Sequence, residues 1–504
     1  MHRSPIIAVL LLALGCAARA AEPAGEGPAA DAAGDVFYPM LGGNPARDGD
    51  TGVRFESAKL GLLWSSPRPS VVYQYQRGQT GSGPCLVSVG GRHLLIAGSY
   101  DRNVRGYDAF TGEELWQFTT GDAVTATPCY AEVGGEPMLF VASSDYVVYA
   151  LNPLTGQQTD SRGRQLWRRQ IQPWGETRAP AIIGDPLAAE IDGRTVLFFT
   201  AWLNDLRAAG NVQESALYAI DAADGSMLWK AAVGTSSATA PALGKVGAEP
   251  ALFVVHEAGA VHAFSARTGQ SLWPRPFVSE DAIRSGVSYA EVGGRGLLYV
   301  GSRLFTIFCI DADAGSAAWS MRVGTWVDST PAIRRGRERT IAVFGDYQQW
   351  LHGADALTGE PLWDYRSYGY FASSPTLVDL AGAPAAAAPC LDDHLYIVNS
   401  ETGQFILRAY TGEFLWSHYQ RGDSVWPPAA AARLGGRGIL AVAAYDGRLH
   451  VFGVNGEDAN VGPPQTRIFD ALGGRIFGWV FGGLIVAVLA YNMIRIVRRM
   501  RSGA

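Results

Sequence analysis

The residues of this chain that could recognise or transform another molecule are aromatic, arginine and carboxylate side chains gathered in short loops, together with a pair of cysteines in matching contexts. The loops carry Tyr73, Tyr75 and Arg77, then Trp174, Glu176 and Arg178, then Asp281 and Arg284, then Trp326 and Asp328, then Tyr368, Tyr370 and Phe371, and last Arg421, Asp423 and Trp426. Aromatic and arginine anchors with a few carboxylates are the composition of a recognition surface. The same set offers little for running a reaction. The loops lead into segments opening GSGP, TATP, TRAP, ATAP, RSGV, DSTP, SSPT and WPPA, where only Asp328, with Glu176 further back, brings a carboxylate. A hard cation wants several converging oxygens. The eight His are scattered without a His-x3-His or Cys-x2-Cys spacing, so no metal site is expected. No phosphate-cradling loop and no Gly-x-Ser-x-Gly elbow occurs.

Those loops recur because the chain is a repeat. GYDAFTGEELW, AIDAADGSMLW, AFSARTGQSLW, CIDADAGSAAW, GADALTGEPLW and LRAYTGEFLW end at Trp116, Trp229, Trp273, Trp319, Trp363 and Trp416, each with Gly four residues before the Trp. A seventh copy reaches Trp167 with a longer turn. Pro84 to Trp116, Pro241 to Trp273 and Pro331 to Trp363 each span 32 residues, and 12 more lead from Trp116, Trp229, Trp319, Trp363 and Trp416 to the next Pro, while one blade has Val287 in its place. Inside one period, GPCLVSV, HLLIAGS, VRGYDA and ELWQF are short apolar-rich runs separated by turn residues, the pattern of a four-stranded antiparallel meander. Four strands per 44-residue period make a propeller blade.

The last unit lacks its Trp, and LGLLWSS with Trp64 precedes the first complete unit. The expected fold is therefore all-β: an eight-bladed β-propeller of four-stranded antiparallel blades, closed by the N-terminal strand. The eight Trp, from Trp64 to Trp416, read as structural packing between blades, and the recognition loops share one face of the ring. Trp202, Trp350 and the long turn at 204–215 should lie on that face, the turn as a partner-specific insertion. Cys85 and Cys129 each follow the repeated Pro, one on each of two neighbouring inner strands. A disulfide is expected between them if their Cα atoms lie within roughly 4.4–6.8 Å. Cys309 and Cys390 read as buried thiols.

Both chain ends point to a membrane. Residues 1–20 have a basic start, an apolar run and an Ala18-Arg19-Ala20 cleavage site, the plan of a secretory signal, with a flexible linker at 21–37. The propeller would occupy 38–455 and a linker 456–474. A transmembrane helix is expected at 475–496: residues 476–494 carry no charge, about 28 Å of helix at about 1.5 Å per residue. Arg495, Arg498, Arg499 and Arg501 begin a basic tail that runs to 504 and belongs on the cytoplasmic side. The ring is thus expected on the periplasmic side of the inner membrane, in an oxidising compartment. Setting Arg3, Arg475 and those four arginines aside from 41 basic residues leaves 35 against 47 acidic ones, which excludes nucleic acid as a natural partner.

The motif Ala-x-Asp-x-x-Thr-Gly-x-x-x-Trp resembles the repeat of the pyrroloquinoline-quinone-type propellers, and YPMLGGNPARDG is similar to the segment that often precedes their first blade. That family includes quinoprotein dehydrogenases and also quinone-free propellers that bind other proteins, such as the outer-membrane assembly factor BamB. In the dehydrogenases the resemblance would imply a quinone in the funnel over the ring, against a Trp and usually a disulfide of adjacent cysteines. Ca²⁺ would sit on Glu, Asn and Asp, with a further Asp as base. No Cys-Cys pair exists here. The expectation is a membrane-tethered, extracytoplasmic, non-catalytic module that binds another envelope protein and needs no cofactor. The alternative is a dehydrogenase using pyrroloquinoline quinone and Ca²⁺ to feed electrons to membrane quinone.

Overall fold

The structure is a computed structural model, and it describes residues 35–461 except 36, 67–81, 172–181, 206–211, 235–238, 393, 412–427, 444–447, 455–456 and 459. Alternating apolar side chains and Gly-bearing turns fold each repeat into four antiparallel strands. In blade 1 these are Cys85–Val89, Arg92–Gly98, Asn103–Asp108 and Glu114–Thr119, paired in sequence order from the axis outward. Blades 2 to 7 follow at 129–170, 182–234, 242–278, 288–322, 332–366 and 376–410. Blade 8 is composite: Ala430–Leu434, Arg437–Ala443 and Leu449–Gly453 take Gly61–Ser65 as their outer strand, with Leu62 opposite Phe452 and Trp64 opposite Val451. The eight-bladed ring is therefore closed by pairing early chain with late chain, which leaves no open edge between first and last blade.

The repeated Trp is the fastener between blades. Trp64, Trp116, Trp167, Trp229, Trp273, Trp319 and Trp363 donate their indole N–H to the carbonyls of Ala109, Pro153, Ala222, Ala266, Ala312, Ala356 and Ser400, each in the next blade around the ring. Trp416 lies outside the described residues. The Gly of that next blade's hairpin turn lies flat against the ring: a Cβ on Gly359, whose φ is +77°, would stand 2.6 Å from Trp319. Gly359→Ala is expected to cost about 1–3 kcal/mol in backbone strain alone. Gly134, at φ +59° with nothing near its missing Cβ, supplies the control. Urea unfolding should show Gly359→Ala clearly worse than Gly134→Ala, and equal losses would refute the packing role.

The segment before the first blade forms a collar inside the ring. Carbonyls of Tyr38, Pro39, Pro45, Ala46, Asp48 and Gly49 accept, in chain order, from the N–H groups of Leu86, Tyr130, Leu243, Tyr289, Ile333 and Leu377, at 2.7–3.0 Å. These donors occupy one repeat position on the innermost strands of blades 1, 2, 4, 5, 6 and 7. An innermost strand has one edge paired within its blade and the other facing the axis, so its inward N–H groups are costly unless something pairs them. Arg47, 5% exposed, anchors the collar: Nε donates to Pro241 O at 2.6 Å, and the two Nη atoms to Leu41 O at 2.8 Å and Asp185 O at 3.0 Å. Asp50–Phe55 then runs parallel to the inner strand Thr376–Leu380 of blade 7 before the chain leaves to become the outer strand of blade 8.

Three details differ from the sequence reading. Phe37, expected in the linker, packs its ring edge-on against Tyr130 at 6.5 Å. Sheet pairing continues past 455: Glu457–Asp458 pairs with Gly61 and Leu62, and Asn460–Val461 with Arg408 and Ala409, because the outer edges of blades 8 and 7 still offer unpaired backbone. The inner strand of blade 3 follows Pro186 rather than Pro180, since Leu187–Ile191 holds the register that Cys85–Val89 holds in blade 1. Among the described residues no helix is long and apolar enough to cross a membrane. The expected signal at 1–20 and span at 475–496 lie outside them.

Candidate functional site

The loops from an outer strand to the next blade and the turns from second to third strand share one face, the upper rim. Just below it, side chains in front of the repeated Pro tie neighbouring blades together. Gly83 N–H donates to Thr127 Oγ1 at 3.0 Å and Thr127 N–H to Asp185 Oδ1 at 2.5 Å. Across the ring, Gly286 N–H donates to Thr330 Oγ1 at 2.8 Å and Thr330 N–H to Ser374 Oγ at 2.9 Å. Asp185 carries no signal in the sequence, because Pro180 of TRAP stands where the repeated Pro is expected and the inner strand starts after Pro186 instead.

On blades 5 to 7 the rim builds one connected cluster. Asp328, 1% exposed, receives Arg303 through Nε at 3.2 Å and Nη2 at 2.7 Å. The same guanidinium lies over the Trp326 ring, 4.5 Å from its centroid. Trp326 meets Tyr347 edge-on at 5.8 Å, and Tyr347 meets Tyr370 at 5.7 Å. Burial, reinforced by the Asp328 charge, pushes the Tyr347 phenol well up, so it stays protonated. Trp326 and Tyr368 remain exposed at 36% and 44%. Asp281 is also exposed, with Oδ1 capping the N–H of Ala282 at 2.6 Å, and Arg284 is partly buried.

Other expected rim residues are placed differently. Phe371 is 0% exposed and packs edge-on against Tyr396 at 5.6 Å, over the space left by Gly345. It stands four residues before its Pro, as Val124 and Val327 do, and both are equally buried. That register was the available signal for a core residue. In the stretch expected as a turn at 204–215, residues 204–205 and 212–215 are strand, because Arg194–Asp205 and Val212–Asp221 prolong one hairpin of blade 3, with Trp202 opposite Ser215, and 206–211 lie outside the described residues. Trp350 opens the third strand of blade 6 next to the turn on the expected face, with Arg366 over its ring at 5.4 Å. Tyr73, Tyr75, Arg77, Trp174, Glu176, Arg178, Arg421, Asp423 and Trp426 lie outside the described residues.

The expected Cys85–Cys129 bridge is not formed: both thiols are free and buried. The collar supplies the reason, since Cys85 Sγ donates to Pro39 O at 3.5 Å. Burial raises both thiols, Cys129 to about 12.

Below the rim of blade 6, His352 Nδ1 lies 2.6 Å from Asp364 and Nε2 lies 3.3 Å from Asp346. Burial opposes the imidazolium, but the two carboxylates outweigh it and raise the His352 pKa above 6.5. A raised folded-state pKa gives stability that is complete below the unfolded value and lost as pH climbs through the folded one. Stability is therefore expected to fall as pH rises upward from 6.5, and His352→Gln should flatten that slope in urea unfolding run at several pH values. An unchanged slope would refute the assignment.

The quinone and Ca²⁺ that the resemblance raises do not fit the described part of the funnel. The carboxylates at described inner-strand openings are engaged: Asp328 by Arg303, and Asp185 by the Thr127 N–H within electrostatic reach of Arg47. Among the described residues no three His, Cys, Asp or Glu side chains are grouped to hold a metal ion.

The sequence matches the family model described as outer membrane protein assembly factor BamB over residues 49–256, 160–282 and 257–461. No curated protein matches it. Among solved structures, the quinohemoprotein alcohol dehydrogenase of Comamonas testosteroni is similar at 12% identity and TM-score 0.57, covering 85% of this chain and 82% of that one. A europium-containing methanol dehydrogenase is similar at 13% identity and TM-score 0.59, covering 83% and 98%. BamB of Moraxella catarrhalis has 17% identity and TM-score 0.46, covering 79% and 98%. The first two likenesses show a shared fold.

Proposed function

Since the chain belongs to the family described as outer membrane protein assembly factor BamB, we propose that its ring is a non-catalytic binding module of the cell envelope. In this reading the 475–496 segment tethers it to the inner membrane, and the upper rim meets another envelope protein on the periplasmic side. The observation that carries it is the Arg303–Asp328–Trp326 cluster. Its carboxylate is consumed by an arginine while its indole stays exposed, so the site is built to be touched rather than to move protons. The collar supports the same reading, because it gives the inner strands a purely structural lining.

The second reading, a quinoprotein dehydrogenase feeding membrane quinone, is favoured by the fold shared with the two dehydrogenases. Titrating the full-length protein with pyrroloquinoline quinone and Ca²⁺ separates the two. A module should show no Ca²⁺-dependent absorbance change and no oxidation of alcohols or sugars. Tight Ca²⁺-dependent binding with turnover would overturn it. A photo-crosslinking residue at position 326 should yield a discrete adduct in membranes, whereas one at 357, exposed on the opposite face, should not.

A further inference from the structure

Seven large apolar side chains are exposed among the described residues, and five of them, Val278, Phe305, Trp326, Tyr368 and Tyr410, lie at the upper rim between blades 4 and 7. Single exposed apolar residues are ordinary, but their concentration on one sector marks an interaction site. In that sector arginines accompany the aromatic rings. Arg303 covers Trp326, Arg366 covers Trp350, and Arg322 ends the strand whose continuation, Val323, donates to Phe305 O at 2.8 Å. Arg303 is neutralised by Asp328. Arg322 and Arg366 have no carboxylate partner among the described residues: both are exposed, and the hydrogen bonds of Arg366 are 3.3 Å contacts to the neutral Gln349 Oε1.

Resting on the reading above, we propose that the upper rim of blades 5 and 6 receives an acidic peptide segment with interspersed apolar residues, its carboxylates on Arg322 and Arg366 and its apolar groups on Trp326 and Phe305. Charge favours this occupant. The chain as a whole is acidic, 47 acidic against 41 basic residues, so an acidic partner is repelled elsewhere and its register is fixed here. Among the described residues, the chain that follows blade 8 does not approach this sector. Glu457–Asp458 and Asn460–Val461 run antiparallel to the outer strands of blades 8 and 7, and therefore away from the upper rim.

The test uses full-length protein in detergent and two fluorescein-labelled dodecapeptides, one of Asp, Glu, Leu and Gly, the other with Lys and Arg replacing the acids. Anisotropy should show the acidic peptide bound and its affinity falling with salt. Arg322→Glu with Arg366→Glu should weaken it at least tenfold, and Arg92→Glu on the opposite face should leave it unchanged. Both arginines are exposed, so the double variant should keep its melting temperature. Trp326→Ala should also weaken binding, without changing the salt dependence. Equal affinity for both peptides, or no effect of the double reversal, would overturn the proposal. So would binding to vesicles of phosphatidylglycerol through the same arginines with none to the peptide. If the acidic peptide fails while position 326 still crosslinks a partner, this inference falls and the module reading stands. Ca²⁺-dependent quinone turnover would remove the module reading instead.

Discussion

Replacing Arg47 with alanine is expected to destabilise the ring by about 3–5 kcal/mol, the size found when one partner of a buried charged network is removed. Its guanidinium serves carbonyls of Pro241, Leu41 and Asp185, which come from blade 4, the collar itself and the start of blade 3. Alanine leaves all three acceptors buried without donors, and each such group costs about 1–3 kcal/mol when nothing replaces the bond. Arg47 also holds a left-handed backbone conformation, φ 54°, so the side-chain bonds and an unusual backbone angle depend on each other. Arg47→Lys keeps the charge but replaces a planar fork by a single ammonium that cannot reach three divergent carbonyls. It should recover only part of the loss. Equilibrium urea unfolding of both variants checks this, and a loss below 1 kcal/mol for Arg47→Ala would show that the collar is an ornament rather than a brace.

Trp273→Ala is expected to cost about 3–5 kcal/mol, the range for deleting a buried large aromatic. Trp273 is 4% exposed, packs against Phe253 at a 40° tilt with ring centroids 5.8 Å apart, and bonds Ala312 O at 2.8 Å across the junction of blades 4 and 5. Trp273→Phe separates the two contributions. It keeps most of the apolar area and loses the indole N–H, leaving a buried carbonyl unsatisfied at about 1–3 kcal/mol. Because the ring is closed by its ends, the loss should lower one cooperative transition rather than melt a single blade, visible as coincident far-ultraviolet and fluorescence curves. Separate transitions would indicate blades that unfold independently, as in open repeat arrays.

The blade architecture was legible because it is local. Trp, the Gly four residues before it and the Asp that caps the intervening turn all lie within one hairpin, and each recurs at fixed spacing. Asp108 Oδ1 accepts from the N–H groups of Phe110 and Thr111, and Asp355 does the same for Leu357 and Thr358. Closure was also readable, because one missing Trp and one surplus Trp64 strand had a single arithmetic solution. The rim was readable only in outline. Trp326 and Asp328 could be placed on it, but Arg303, which binds one and covers the other, sits 23 and 25 residues away in the preceding blade and follows no motif. Phe371 was misplaced because side-chain type outweighed register.

Sequence alone settled how many sheets this protein has, most of the strands they contain and which Trp marks each sheet, since those facts repeat along the chain. Tertiary structure decided what occurs once: the collar at 38–49 threading the axis, Arg47 gathering three carbonyls, the thiols of Cys85 and Cys129 left apart, and the pairing of Arg303 with Asp328. The physical reason is that a repeated contact leaves a periodic trace in one dimension. A contact between segments of unrelated sequence position is specified only by where the closed ring brings backbone donors and buried charges face to face.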